Sequence, residues 1–262
     1  MIKKNENILP GLYRALRGNI RLSRRQACQV GVAMGLSFST LLTFRLNKVF
    51  AKAKETVNRE KKTMDLMQPV FDGNMSLEKA IKQRRTVRSF ADKPISNQQF
   101  SQILWSAQGI TDDREFKRAA PSGGALYPSD VYAVVGENCV ETFDSGVYHY
   151  KSSNHSVTTV AGGDRRKDIA SASLRQMWMA DAPVILVVTA EYDRICTKYG
   201  KRGIRYALIE MGHIGQNIFL QSQALGLDAG IVGAFNDRAV ADVVGVEKNH
   251  EPLVILPVGW EG

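Results

Sequence analysis

Gln83-Arg84-Arg85-Thr86-Val87-Arg88-Ser89-Phe90 carries three guanidinium groups and two hydroxyls in close succession. An arginine fork donates two parallel bonds to a phosphate and never loses its charge, so the cluster reads as an anchor for a phosphorylated ligand. The same residues also describe a solvated basic helix end. Upstream, Leu77-Glu78-Lys79-Ala80-Ile81 puts apolar positions 77, 80 and 81 at helical spacing, with Ser76 where an N-cap belongs. Downstream, Ser96 and Gln99 form a capping-box pair ahead of Phe100, Ile103, Leu104 and Ala107, a helical stripe that Gly109 stops.

Beyond a charged loop at 111–120, Pro121-Ser122-Gly123-Gly124-Ala125-Leu126-Tyr127-Pro128 sets two glycines between prolines. This is a fixed turn in which backbone approaches another group closely. Val131–Val135 reads as a buried strand, and 146–150 and 155–160 flank Ser152-Ser153-Asn154 as a hairpin. A helix is predicted over Asp164–Met179, followed by Val184–Ala190, an apolar strand suited to the centre of a sheet. Lys198-Tyr199-Gly200-Lys201-Arg202-Gly203-Ile204-Arg205-Tyr206 then opens the longest helix, which runs to Leu225-Gly226. Its positions Leu208, Met211, Gly215, Ile218, Phe219 and Ser222 include small residues that suit close packing across a dimer seam. His213 reads as a satisfied, buried histidine. An Asp237-capped helix to Val244-Gly245 and a strand over Leu253–Val258 close the chain.

A net charge of +9 on 262 residues suggests nucleic acid or a membrane surface, but its distribution excludes the former for most of the chain. Residues 1–62 hold 14 Lys/Arg against 3 Asp/Glu, whereas 63–262 hold 21 against 23. The body therefore has no electrostatic footprint for nucleic acid. Cys28, Cys139 and Cys196 show no metal spacing, a Cys139–Cys196 disulfide stays open, and the four histidines form no i, i+4 pair, so no metal site is indicated.

Residues 1–53 read as an export signal or a membrane anchor. Ser23-Arg24-Arg25-Gln26 precedes an uncharged run, Ala27–Phe44, and a small-x-small stretch follows at 51–53. The adjacent arginines resemble a twin-arginine signal, which implies a periplasmic protein that folds and loads its cofactor before export. A membrane-anchored or a cytoplasmic protein with an N-terminal soluble helix is the alternative. Residues 54–75 read as a polar linker and 76–262 as the folded domain.

The order of motifs resembles the nitroreductase family, and within it the SagB-type branch that includes azoline dehydrogenases. The matches are 84–90 and 121–128 as quoted, Gly146-Val-Tyr-His-Tyr150, Gln176-x-Trp178 with Ala182-Pro183, Lys198–Tyr206, Glu210-x-Gly212-His213-x-x-Gln216-Asn217, Ala224-Leu-Gly-Leu227 and Gly233-Ala-Phe235. The resemblance implies an α+β fold, a mixed central sheet flanked by helices, and FMN at the interface of an intertwined homodimer. It implies that Arg84, Arg85, Thr86 and Arg88 hold the ribityl phosphate. Pro121, Ser122, Gly123, Gly124, Ala125 and Leu126 would lie along the isoalloxazine from the partner subunit. Gln176 would reach the ring's polar edge, and Val232, Gly233 and Ala234 would approach N5 and O4.

Many family members complete the phosphate site with a basic pair after the last strand. Here Gly259-Trp260-Glu261-Gly262 stands at that place, so Arg202 or Arg205 substitutes or the first cluster acts alone. Lys198 and Tyr199 match the pair to which azoline dehydrogenases are thought to owe proton abstraction, the catalytic role expected of them here. The implied function is an FMN-dependent oxidoreductase acting on a small molecule or a peptide heterocycle. Alternatives are a nitro or quinone reductase with NAD(P)H as electron donor, and a non-catalytic flavin-binding scaffold of a modification complex.

Overall fold

The computed structural model describes residues 62–114, 116–246 and 249–262. The export signal or anchor expected over 1–53 lies outside the described residues, as does most of the first half of the 54–75 stretch. The later part of that stretch contains an edge strand, β1 (Thr63–Asp65), with Leu66 entering the core behind it. Its polar composition hid a segment three residues long whose pairing comes from a distant partner.

Helices α1 (Leu77–Gln83) and α2 (Asn97–Gln108) begin as their caps dictate: Ser76 accepts from Lys79 N, and Ser96 and Gln99 bond reciprocally. The remaining elements are β2 (Ser129–Val135), β3 (Gly146–Lys151), β4 (Ser156–Gly162), α3 (Arg166–Ala172), β5 (Val184–Glu191), α4 (Tyr192–Tyr199), α5 (Arg202–Ala224), β6 (Asp228–Ala229), α6 (Asp237–Val244) and β7 (His250–Gly259). The seven strands lie in the order β1-β4-β3-β2-β5-β7-β6. Among the described residues every named pair is antiparallel, and parallel pairing is confined to the isolated bridges Thr86–Ala229 and Ile95–Val140. The expected helix-flanked sheet is present, but it is antiparallel where a mixed one was anticipated.

Alternate residues of the central strands feed opposite faces, as the period of a strand requires. Val131, Ala133, Leu186, Val188 and Leu256 pack with Phe100 and Leu104 of α2 and Ile214 and Ile218 of α5. Tyr132, Val134, Ile185, Val187 and Ile255 pack with Ile169 of α3 and Val240 and Val244 of α6. Both faces of β5 are covered, which accounts for its unbroken apolar sequence.

Four expectations are corrected. The helix over Asp164–Met179 stops at Ala172, because Leu174 and Arg175 adopt left-handed φ of 54° and 60°; a 3-10 turn follows at Met177–Asp181. Lys198 and Tyr199 do not open the long helix. They end the preceding α4, and Gly200 (φ 55°) breaks the chain before α5 starts at Arg202. The cap of α6 is Asn236, whose Oδ1 accepts from Ala239 N at 2.9 Å. His213 is exposed in the single chain, and Cys139 and Cys196 are free thiols.

Candidate active site

The basic cluster leaves α1 and is pinned at once to the far edge of the sheet. Thr86 bridges Ala229, and Val87 N donates to Ala229 O at 3.0 Å. Arg84 lies over the Phe219 ring of α5, 5.2 Å from its centroid, and Arg88 is exposed. The Arg85 guanidinium folds back to donate to the carbonyls of Lys82 and Arg84 at the end of its own helix. Nearby, Phe90 stacks on Trp178, and a methyl group on Gly230 would stand 2.7 Å from Val87 O and 3.0 Å from the Trp178 ring. Gln176 Nε2 donates to Ser173 O at 3.0 Å and to Ala234 O at 3.2 Å. Val232 is buried and bridges Ile255, while Gly233 and Ala234 are exposed. Thus Arg84–Arg88, Gln176 and Val232–Ala234 share one end of the sheet.

The second group stands on a strained loop. Gly124, Ala125 and Tyr127 have φ of 65°, 54° and 46°, and a left-handed alanine or tyrosine costs of order 1–3 kcal/mol. The strain is held by named bonds. Ser122 Oγ accepts from Tyr127 N at 2.9 Å, Tyr127 Oη accepts from Arg118 N at 3.2 Å, and the Arg118 guanidinium lies 4.2 Å from the Tyr127 ring centroid. Leu126 packs with Ile195 and Ala207, and Pro121 is exposed. Lys198 and Tyr199 meet this loop. A methyl group on Gly124 would stand 2.6 Å from Tyr199 Oη and 3.1 Å from Lys198 Nζ. Tyr199 is in turn held edge-on by Tyr206 at 5.1 Å.

Three neighbours of the loop were given no site role by the sequence: Glu210, which stands only within a matched motif, and Asp130 and Arg194. Glu210, only 1% exposed, accepts from Gln108 Nε2 at 3.0 Å; its Oε2 makes no hydrogen bond of regular geometry, although Ser122 and Ser129 lie near the carboxyl. Burial pushes its carboxyl pKa up, against the opposing pull of Ser122, Ser129 and Gln108. Glu210 shares a helical stripe with Ala207, Ile214 and Ile218, a signal that would have placed it inside. Asp130 and Arg194, which pair with each other between β2 and α4, have no such signal.

The two groups lie apart within one chain. Tyr206, which borders Gly123 and Tyr199, and Phe219, which lies under Arg84, are separated by about 20 Å along α5 at 1.5 Å per residue. Arg202 and Arg205, the candidate substitutes for the missing basic pair, stand at the Tyr206 end and are exposed. Ile204, just before Tyr206 on α5, and Leu208 and Ile209, between the two groups, are exposed by 41%, 44% and 48%.

The residues present fit an FMN. Arg84, Thr86 and Arg88 offer cationic and hydroxyl donors at one end. At Gly233, no atom lies within 4 Å of where a Cβ would stand, so a planar ring can reach the peptide.

The model of the family described as Nitroreductase matches residues 81–260. A protein of Methanocaldococcus jannaschii named as a nitroreductase, MJ1384, is 36% identical over 197 residues, which cover 75% of this chain and 96% of that one. The microcin B17-processing protein McbC of Escherichia coli is 28% identical over 172 residues, covering 64% of this chain and 63% of McbC. Among solved structures, the E. coli microcin synthetase McbBCD complex with truncated pro-MccB17 bound aligns with a TM-score of 0.61 and 26% identity, over 78% of this chain and 79% of the matched one.

Proposed function

The chain belongs to the nitroreductase family, and from that premise we propose that it is an FMN-dependent oxidoreductase of the SagB type, active as a homodimer. The observation that carries this reading is the convergence of Lys198 Nζ and Tyr199 Oη on the face of Gly124. The distance of about 20 Å along α5 between that point and the arginine cluster supports a site shared by two copies. One copy would offer Arg84, Thr86 and Arg88 to the phosphate, with Gln176 and the 232–234 backbone at the ring's polar edge. The other would lay Pro121–Leu126 along the ring. The exposed isoleucines and leucine of α5 are surface that such pairing would bury.

Bound FMN supplies a two-electron acceptor whose hydride passes through N5. The chain's own residues supply position and a proton acceptor. The Gln176 amide, bonded to Ala234 O, fixes the backbone at 232–234, which would meet the polar edge of the ring. Lys198, with Tyr199 beside it, is placed to take the proton from a substrate X–H bond as hydride leaves the adjacent C–H. The likeness to McbC, and to a complex solved with pro-MccB17, supports a peptide heterocycle as the substrate class.

The likeness to MJ1384 over nearly all of that protein favours a second reading, reduction of nitro or quinone compounds with NAD(P)H. The visible spectrum of the purified protein, with and without NADPH under anaerobic conditions, tests both. Oxidised flavin bands are required by either. Bleaching by NADPH favours the reductase, and a spectrum NADPH leaves unchanged but a thiazoline-containing peptide bleaches favours the dehydrogenase.

A further inference from the structure

The pair Lys198–Tyr199 sits on an insecure support. Helix α4 has only eight residues, its N-cap Glu191 makes no side-chain capping bond, and the pair occupies its last turn. A helix this short is marginal alone, and its ends fray first. Ile195 anchors α4 by burial with Ala190 and Ala207, and the residue before it, four positions from Lys198 and so on the same helical face, adds polar ties to the surroundings. Arg194 Nη2 donates to Asp130 Oδ2 of β2 at 2.8 Å, Nη1 donates to Tyr127 O at 3.3 Å, and Nε pairs with Glu191 Oε2 at the end of β5.

The Tyr127 carbonyl belongs to the left-handed residue that closes the strained 122–127 loop. With Gly124 touching Tyr199 Oη, loop and helix are joined at three places: Arg194 to Tyr127, Tyr199 to Gly124, and the apolar contact of Ile195 with Gly123 and Leu126 between them. A planar fork with donors in fixed directions can hold three acceptors from three elements at once, which an ammonium cannot.

We propose that Arg194 is the positioning residue of the site, holding the Pro121–Tyr127 loop and the Lys198–Tyr199 turn of α4 in one fixed relation through Tyr127 O, Asp130 and Glu191. The functional meaning of that relation rests on the oxidoreductase reading; the positioning itself does not. Both carboxylates have other partners. Asp130 faces His149 Nε2 and His250 Nδ1, each at 3.4 Å, and Glu191 accepts from Asn249 Nδ2 at 2.9 Å and faces His250 Nε2 at 3.6 Å. Removing Arg194 therefore leaves neither acid bare, and the fold is expected to survive.

The test follows the ring resonances of Tyr199 in protein labelled at tyrosine, assigned by Tyr199→Phe, first without FMN and then with it. Arg194→Met should move the Tyr199 resonances and weaken their contact with Gly124. Arg194→Lys, which keeps a single charge contact to Asp130, should give an intermediate shift, and Asp130→Asn a shift in the same direction as Arg194→Met. With FMN bound, the turnover of Arg194→Met should fall by about 100-fold, the scale of a misplacement near 1 Å. Unmoved Tyr199 resonances in a folded Arg194→Met or Asp130→Asn protein would overturn the proposal. Should one of these variants not fold, the other together with Arg194→Lys decides. Wild-type protein that takes up no FMN would sink the oxidoreductase reading and leave the resonance result standing on its own.

Discussion

The Tyr199 hydroxyl lies against the α-carbon of Gly124, so close that a methyl group there would stand 2.6 Å from it. Gly124 also has φ of 65°, which an L side chain adopts at a cost. Gly124→Ala is therefore expected to lose about 1–2 kcal/mol of stability from backbone strain and contact together. Urea denaturation checks it, and a variant as stable as the parent would contradict the geometry.

The arginine cluster divides into cations that are available and one that is engaged. Arg84→Met and Arg88→Ala should each weaken FMN binding about 10- to 100-fold, the range for losing a charged hydrogen bond of roughly 1.5–3 kcal/mol. Arg85→Ala should weaken it far less, because that guanidinium already donates to Lys82 O and Arg84 O. Titration of FMN fluorescence quenching measures all three, and equal losses would show that Arg85 swings to the phosphate.

Glu210 makes stability depend on pH. Burial raises its folded-state pKa above the ordinary 4.5, so the native chain holds this proton more tightly than the unfolded one. The resulting stabilisation is full below 4.5 and is lost as pH rises through the raised value. Glu210→Gln, which keeps the shape and cannot ionise, should show a smaller fall in melting temperature than wild type between about pH 4 and pH 8. Parallel curves for the two proteins would mean that Glu210 holds its proton equally in the folded and the unfolded chain, and would contradict the effect of burial.

Much of this architecture is legible in the sequence, for physical reasons that differ by region. Ser76, Ser96 and Gln99 announce helix starts because capping is local chemistry, and each was found capping as read. Val184–Ala190 reveals a strand covered on both faces because burial demands an unbroken apolar run. What was illegible depends on partners distant in the chain. β1 is defined by pairing with β4, and the antiparallel character of the sheet is set by how the strands return. The break at Leu174–Arg175 uses residues with no turn preference, so nothing in the letters marks it. In the site, Lys198, Tyr199 and Gly124 were each singled out, but their mutual contact appears only in the folded chain. Arg194 looks like one more surface cation until Tyr127, Asp130 and Glu191 are placed around it.

Lys198 and Tyr199 should matter to the chemistry and not to cofactor affinity. Lys198→Ala is expected to slow anaerobic bleaching of the flavin by a thiazoline-containing peptide by about 100- to 10,000-fold, the usual worth of a positioned proton acceptor. Its FMN dissociation constant should stay that of wild type. A large loss of FMN affinity with normal bleaching at saturation would assign Lys198 to cofactor binding.

In the proposed site one flavin is held by two chains, its phosphate near Arg84 and Arg88 of one and its ring along Pro121–Leu126 of the other. Sedimentation velocity of the FMN-loaded protein, followed at the visible flavin band, addresses it in a single measurement. All bound colour is expected to travel with a species of two chains, and protein diluted to single chains is expected to shed it. Colour travelling with single chains, or sedimenting free of protein, would contradict the account.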